Sequence, residues 1–192
     1  MLLPIHKNTK LLIFDCDGTI VNNMSVHIHA WKEVLRAHQL DLPEGDLSPF
    51  HGLPSEHILE HFYPHKKEDL KTIATQLKET THNLLHDSSP IQPIIDIIER
   101  YKYKLPMIVI SGGSRNNVLR SLDILGITDY FAEIITADDD HPTKNTIEAF
   151  TLLADKYNVK PDQCHVFEDG VTGLINALKA GMTVTDARNI DL

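Results

Sequence analysis

Cysteine is scarce in this chain: Cys16 and Cys164 are the only two in 192 residues. Two thiols do not make a disulfide framework, so the fold must rest on its own core, and a reducing, cytoplasmic setting is the expectation. A surplus of positive charge is also missing. Lys and Arg number 18 against 27 Asp and Glu, a net charge of −9. With no basic stripe to offset it, nucleic acid is not an expected partner. A phosphorylated substrate stays possible, because a few local cations suffice to hold one. No run reaches the roughly 18 apolar residues of a membrane span. The opening "MLLPIHKNTK" holds no apolar stretch of signal-peptide length, so neither a membrane nor secretion is expected. Low-complexity tracts are absent too. What remains is a globular composition, 42% hydrophobic and 23% charged, long enough for one domain or for a core with a smaller insertion.

The apolar residues alternate between two patterns. Short β-type runs lie at Leu11–Phe14, Met107–Ile110, Glu133–Thr136, His165–Phe167 and Thr183–Thr185. Between most of them the spacing is helical, with one-sided groups at Ile94, Ile95, Ile97 and Ile98, at Val118, Leu119, Leu122 and Leu125, and at Leu174, Ile175 and Leu178. "LGI" at 125–127 and "AGM" at 180–182 put glycine where a helix should stop before the next strand. Repetition of strand and helix predicts an α/β fold, a Rossmann-like parallel sheet with helices on both faces. One interval departs from it. Residues 22–90 show no convincing strand but three helical stretches, Val26–His38, Ser55–Phe62 and Glu68–His86, separated by loops such as "LDLPEGDLSPF". They predict an inserted helical cap over 22–90, with the core formed by 1–21 and 91–192. Nine of the 12 histidines fall in the cap.

Ligands of open parallel sheets bind beyond the carboxyl ends of the strands, and the polar residues collect there. The first strand ends in Asp15-Cys16-Asp17-Gly18-Thr19, the next core strand in Ser111-Gly112-Gly113-Ser114-Arg115. The loop "TADDDHPTKN" brings Lys144 to the start of a helix, and the fourth strand ends in Glu168-Asp169-Gly170. A serine hydroxyl, helix N-terminal amides and a lysine make a cradle for a phosphate dianion. Carboxylates beside it would repel that phosphate unless a hard cation neutralised them, and Mg²⁺ takes such oxygen ligands. The combination points to Mg²⁺-assisted phosphoryl chemistry, with one aspartate free to attack phosphorus and a second to handle protons.

In these residues the chain resembles the haloacid dehalogenase superfamily, in its phosphatase branch. The motif DxDGT matches Asp15, Asp17, Gly18 and Thr19; "SGGSRNNV" matches the second motif at Ser111; Lys144 matches the third-motif lysine; and "FEDGVTGLINALKAGM" is similar to the closing segment. The cap stretch "MSVHIHAWKEVL" is similar to the beta-phosphoglucomutase-like subgroup. The resemblance implies Asp15 as nucleophile and Mg²⁺ ligand, and Asp17 as general acid/base that also binds the metal through its backbone carbonyl. It further implies Ser111, Gly112, Lys144 and Thr19 as phosphate-binding residues, and Asp169 with Glu168 as completing the metal site. Gly18 is expected to turn the chain and Thr19 to orient a carboxylate. His27, Lys78 and Arg115 are candidates for substrate specificity.

Departures from the pattern bear on the reaction. Lys144 is followed by Asn145-Thr146-Ile147-Glu148 instead of a Pro-x-Pro-Asp run, and Asn22 stands where the cap linker usually has aspartate. In the mutases an arginine in the cap grips a second phosphate, whereas the comparable "HGLPSEHI" offers Ser55 and Glu56. The expected activity is thus hydrolysis of a small phosphorylated metabolite, a sugar phosphate first, by a monomer or homodimer. A phosphosugar mutase and a non-catalytic binding protein on the same fold stand as alternatives. His57, His61 and His65, and again His82 and His86, recur every four residues. That spacing can hold Zn²⁺, but Pro64 interrupts the first set and no Cys or carboxylate partner accompanies either. Trp31 is expected to anchor the first cap helix, and Cys16 to be a small buried residue.

Overall fold

The computed structural model describes residues 3–43 and 53–190. Most of the loop expected at 40–50, and His51 and Gly52 of "HGLPSEHI", lie outside them. Strand β1 (Leu11–Phe14) is followed by β2 (Val21–Asn22), then by helices α1 (Met24–Ala37), α2 (Ser55–Phe62) and α3 (Lys67–Leu84). The chain returns through β3 (Ser89–Pro90) and continues as α4 (Gln92–Tyr101), β4 (Met107–Ile110), α5 (Arg115–Leu125), β5 (Glu133–Ile135), α6 (Glu148–Lys156), β6 (Cys164–Glu168), α7 (Val171–Lys179) and β7 (Thr183–Asp186).

Five strands form one sheet in the order β5-β4-β1-β6-β7, each neighbouring pair parallel. Strand β1 is central and wholly buried, which is why it reads as an unbroken apolar run instead of an alternating one. Its side chains divide between the faces by simple alternation. Leu12 and Phe14 pack with α4 and α5 through Ile94, Ile98, Val118 and Leu122; Leu11 and Ile13 pack with α6 and α7 through Phe150, Leu153 and Ala177. The order reverses about β1, with β4 and β5 on one side and β6 and β7 on the other. Such a reversal opens a crevice at the carboxyl end of the strand where it occurs, and β1 delivers Asp15 there.

The cap helices have a core of their own: Val34 and Leu35 of α1, Leu59 of α2, and Leu70, Ile73, Ala74 and Leu77 of α3, with Trp31 partly buried against them. Between cap and sheet the chain crosses twice, and the crossings pair as the antiparallel ribbon β2–β3, Val21 opposite Pro90 and Asn22 opposite Ser89. No strand was expected there.

Three further expectations change. Strand β6 runs from Cys164 through Glu168, so Glu168 is its last residue and pairs with Asp186 of β7. Lys144 lies in the turn ahead of α6, which begins at Glu148. The apolar set Leu174, Ile175, Leu178 is not one buried face. Ile175 is 44% and Leu178 55% exposed, while Gly173, Leu174, Asn176 and Ala177 are buried. Small residues let α7 approach the sheet closely: a Cβ on Gly173 would lie 2.6 Å from Glu168 Oε2.

His165 has an imidazole between two threonine hydroxyls on β7, Thr183 Oγ1 at 2.9 Å and Thr185 Oγ1 at 2.8 Å. Burial lowers its pKa from 6.5 to about 4. As pH falls, the unfolded chain takes up this proton before the folded one does. The contribution is therefore intact above about pH 6.5 and is lost as pH drops toward about 4, by up to about 3 kcal/mol. Denaturant midpoints at pH 7 and pH 5 should differ more in the wild type than in His165→Gln; equal differences would exclude His165 as the cause.

Candidate active site

Asp15 leaves the end of β1 with its amide hydrogen-bonded to the Phe167 carbonyl of β6 at 2.9 Å. The chain then turns sharply. Three successive amides, of Thr19, Ile20 and Val21, are aimed at the Cys16 carbonyl, and the Gly18 amide donates to the Val21 carbonyl at 2.8 Å. Gly18 has φ +80°, and a Cβ there would come within 2.3 Å of Asp169 Oδ2. Both the backbone and the neighbouring carboxylate require glycine.

The turn brings Asp15 to Lys144, Glu168 and Asp169. Lys144, 5% exposed, donates to Asp15 Oδ1 and to Glu168 Oε2, the latter at 2.7 Å. Asn176 of α7 holds the lysine's loop by donating to the Lys144 carbonyl at 3.0 Å, and the Gly170 amide donates to Glu168 Oε1 at 2.8 Å. Asp15 Oδ2 is buried without a hydrogen-bond partner among the described residues. Burial, then the Glu168 charge, raises the Asp15 pKa well above the ordinary carboxylate range despite Lys144. Burial and Glu168 likewise raise Asp169 to about 7. Burial opposes the charge on Lys144, but the two carboxylates outweigh it and raise its pKa, so it stays cationic.

Asp15, Glu168 and Asp169 each offer an oxygen, and the three atoms lie within 4.8 Å of one another. An all-oxygen, buried donor set of this charge, with Asp15 Oδ2 unpartnered, suits a hard divalent cation such as Mg²⁺. One lysine does not balance three carboxylates, and the cation would supply the missing charge.

Asp17 stands apart electrostatically. Asn23 Nδ2 donates to its Oδ1 at 2.6 Å, and His27 Nε2 lies 3.4 Å from the same oxygen. Burial works against the Asp17 charge, but His27 and the Asn23 hydrogen bond bring its pKa below the usual value. Reciprocally, burial works against charging His27, yet Asp17 raises it. Two aspartates separated by one residue thus have pKa values pushed in opposite directions, the pattern of a site in which they do different work.

A cavity of about 150 Å³ opens over these groups. The core lines it with Asp15, Asp17, Ser111, Gly112, Gly113 and Asp169, and the cap with residues that include Met24, His27, Ile28, Trp31, Ser55 and Ile58. Ser111 Oγ accepts from the Gly113 amide at 3.0 Å, which orients the hydroxyl at the start of the turn into α5. Trp31, expected only as a packing anchor, faces both the cap core and the cavity.

Three sequence candidates lie elsewhere. Thr19 is fully buried, outside the cavity lining, and its Oγ1 has no partner among the described residues, so it orients no carboxylate. Arg115 donates to both oxygens of Asp139 at 2.6 Å and to the Ile134 carbonyl at 3.1 Å, tying α5 to the loop after β5. Lys78 pairs with Glu56 at 2.7 Å and faces Asp138 at 3.8 Å. Both long cations are satisfied by carboxylates away from the cavity. Asn23, Asn176 and Gly173 hold the site together and were not singled out. Asn23 sits beside the unusual Asn22, but a hydrogen bond across a turn leaves no spacing signal. The cap histidines join no metal-binding cluster among the described residues.

The family model for haloacid dehalogenase-like hydrolases matches residues 12–187. A fructose-1-phosphate phosphatase of Escherichia coli K12 is 32% identical over 179 residues, which cover 92% of this chain and 95% of that protein. Validoxylamine A 7'-phosphate phosphatase of Streptomyces hygroscopicus is 26% identical over 179 residues, 90% of this chain and 83% of its own. Among solved structures, beta-phosphoglucomutase of Clostridium difficile superposes with a TM-score of 0.78 at 22% identity, covering 93% of this chain and 84% of that one, a likeness of fold.

Proposed function

Because this chain belongs to the haloacid dehalogenase-like hydrolase family and is a phosphatase within it, we propose that it hydrolyses a small sugar phosphate with Mg²⁺, by way of a phosphoryl group carried on Asp15. The supporting relatives act, by name, on fructose 1-phosphate and on validoxylamine A 7'-phosphate. One observation carries the assignment of Asp15. It sits at the carboxyl end of the central strand with one oxygen engaged by Lys144, the other without a partner among the described residues, and the cavity in front.

In this reaction Asp15 attacks phosphorus as the bond from phosphorus to the substrate oxygen breaks, and Asp17 gives that oxygen its proton. Asp17, again a carboxylate, then takes a proton from water. The water oxygen bonds to phosphorus, and the Asp15–phosphorus bond breaks to release inorganic phosphate. His27 and Asn23 favour the carboxylate form of Asp17, the form that activates water. Ser111, with the backbone of Gly112 and Gly113, faces the phosphoryl oxygens. Asp15, Glu168 and Asp169, with the Asp17 carbonyl, would hold Mg²⁺, which neutralises charge on the phosphoryl group. The free, buried thiols of Cys16 and Cys164 suit the cytoplasmic setting we also propose.

A panel of sugar phosphates assayed with Mg²⁺ and after chelation tests this. Phosphate release should fall by at least about 100-fold without the cation and return when it is restored. Undiminished release after chelation would remove the metal from the mechanism.

A further inference from the structure

The cavity walls divide by chemistry. On the core side stand the aspartates and the Ser111 turn; on the cap side, Trp31, Ile28 and Ile58 present carbon, and His27 and Ser55 are the polar cap residues among those described. No Lys or Arg lines the cavity among the described residues. The cations nearby are matched already: Lys144 to Asp15 and Glu168, Lys78 to Glu56 and Asp138, Arg115 to Asp139, and the His27 ring to Asp17.

A phosphoryl group at the Asp15 end meets the Ser111 turn and the metal-binding carboxylates. A second anion on the same molecule would reach the cap wall. There, among the described residues, its desolvation has no cation to offset it, and the acidic cluster and the net charge of −9 act against it. An uncharged alcohol loses far less on entering, and its C–H faces pack on the Trp31 ring and the branched chains of Ile28 and Ile58.

Resting on the phosphatase reading above, we propose that the cavity selects phosphate monoesters of uncharged alcohols and rejects esters bearing a second anionic group, carboxylate or phosphate, with Trp31 and Ile58 as the selecting surface. Among the described residues, the lack of a cationic partner at the cap end sets this class apart from bisphosphates and phosphorylated acids alike.

Paired substrates test it: glycerol phosphate against phosphoglycerate, and a hexose monophosphate against the corresponding bisphosphate, each with Mg²⁺. In each pair kcat/KM should favour the ester without the second anion by at least about tenfold. Ile58→Arg, at a partly exposed cap position, should narrow both ratios by supplying the missing cation. Equal or inverted ratios in the wild type overturn the proposal, and unchanged ratios in Ile58→Arg overturn the surface assigned. If no ester is turned over, the phosphatase reading is what fails, and equilibrium binding then decides the selectivity. Trp31 is the chain's one tryptophan, so its fluorescence reports occupancy directly. Glycerol phosphate binding at least about tenfold tighter than phosphoglycerate upholds the proposal; equal affinity, or binding by neither, overturns it.

Discussion

Asp15→Asn is expected to lower kcat by at least about 10³-fold, the scale on which removal of an attacking group acts, without loss of folded stability. The amide keeps the shape of the carboxylate, and its oxygen can still accept from Lys144. It cannot attack phosphorus at the same rate, because the negative charge that makes the oxygen nucleophilic is gone. Stability should hold or rise. Asp15 is buried beside Glu168 and Asp169, and its raised pKa reflects burial first and Glu168 repulsion second, so removing one of three crowded carboxylates relieves a cost. Steady-state phosphate release and thermal unfolding of the same preparation separate the two effects. Activity within about tenfold of wild type would move the nucleophile elsewhere.

Lys144→Met has the opposite stability signature. It leaves Asp15 and Glu168, whose side chains are 2% and 1% exposed, without their cation. Breaking a buried pair from one side costs about 3–5 kcal/mol. The loss should depend on pH in a defined direction. Burial and the Glu168 charge already raise the Asp15 pKa, and the variant removes the Lys144 charge that lowers it, so the native variant binds more protons than its unfolded chain and regains stability as pH falls. Denaturation at pH 8 and pH 5.5 should show the gap to wild type closing toward the acid side. A midpoint equal to wild type at pH 8 would mean that Lys144 is not what stabilises the cluster. On the proposed reading phosphate release should fall as well, since Lys144 engages one oxygen of Asp15 and holds that side chain in place.

Much of the sheet was legible in the sequence. Strand β1 is apolar at every position because both its faces are covered, and the glycines after α5 and α7 adopt φ +68° and +86°, the left-handed conformation that ends helices. The ribbon β2–β3 was not legible. Two residues per strand, one of them Pro90, carry no period; the pairing exists because distant parts of the chain meet at the crossing. Helix α7 misled in a different way. Its large residues share a spacing, but the position that must pass Glu168 is Gly173, and with Leu174, Asn176 and Ala177 buried beside it, Ile175 and Leu178 are left outward. Hydrophobic spacing reports that a face exists; the space available decides which face turns inward.

The chain's order of residues determined by itself the alternation of strand and helix, the helical insertion, and the arrival of Asp15, Ser111, Lys144 and Glu168-Asp169 at one end of the sheet, because strand and helix periods are local properties of the chain. Only the tertiary structure decided which groups touch. Arg115 and Lys78 turned to Asp139 and Glu56, Thr19 was buried away from the cavity, and Asn23 and His27 closed on Asp17. A charge or hydrogen bond is settled by the nearest partner in space, and distances of a few ångströms between residues far apart in sequence leave no trace in local spacing.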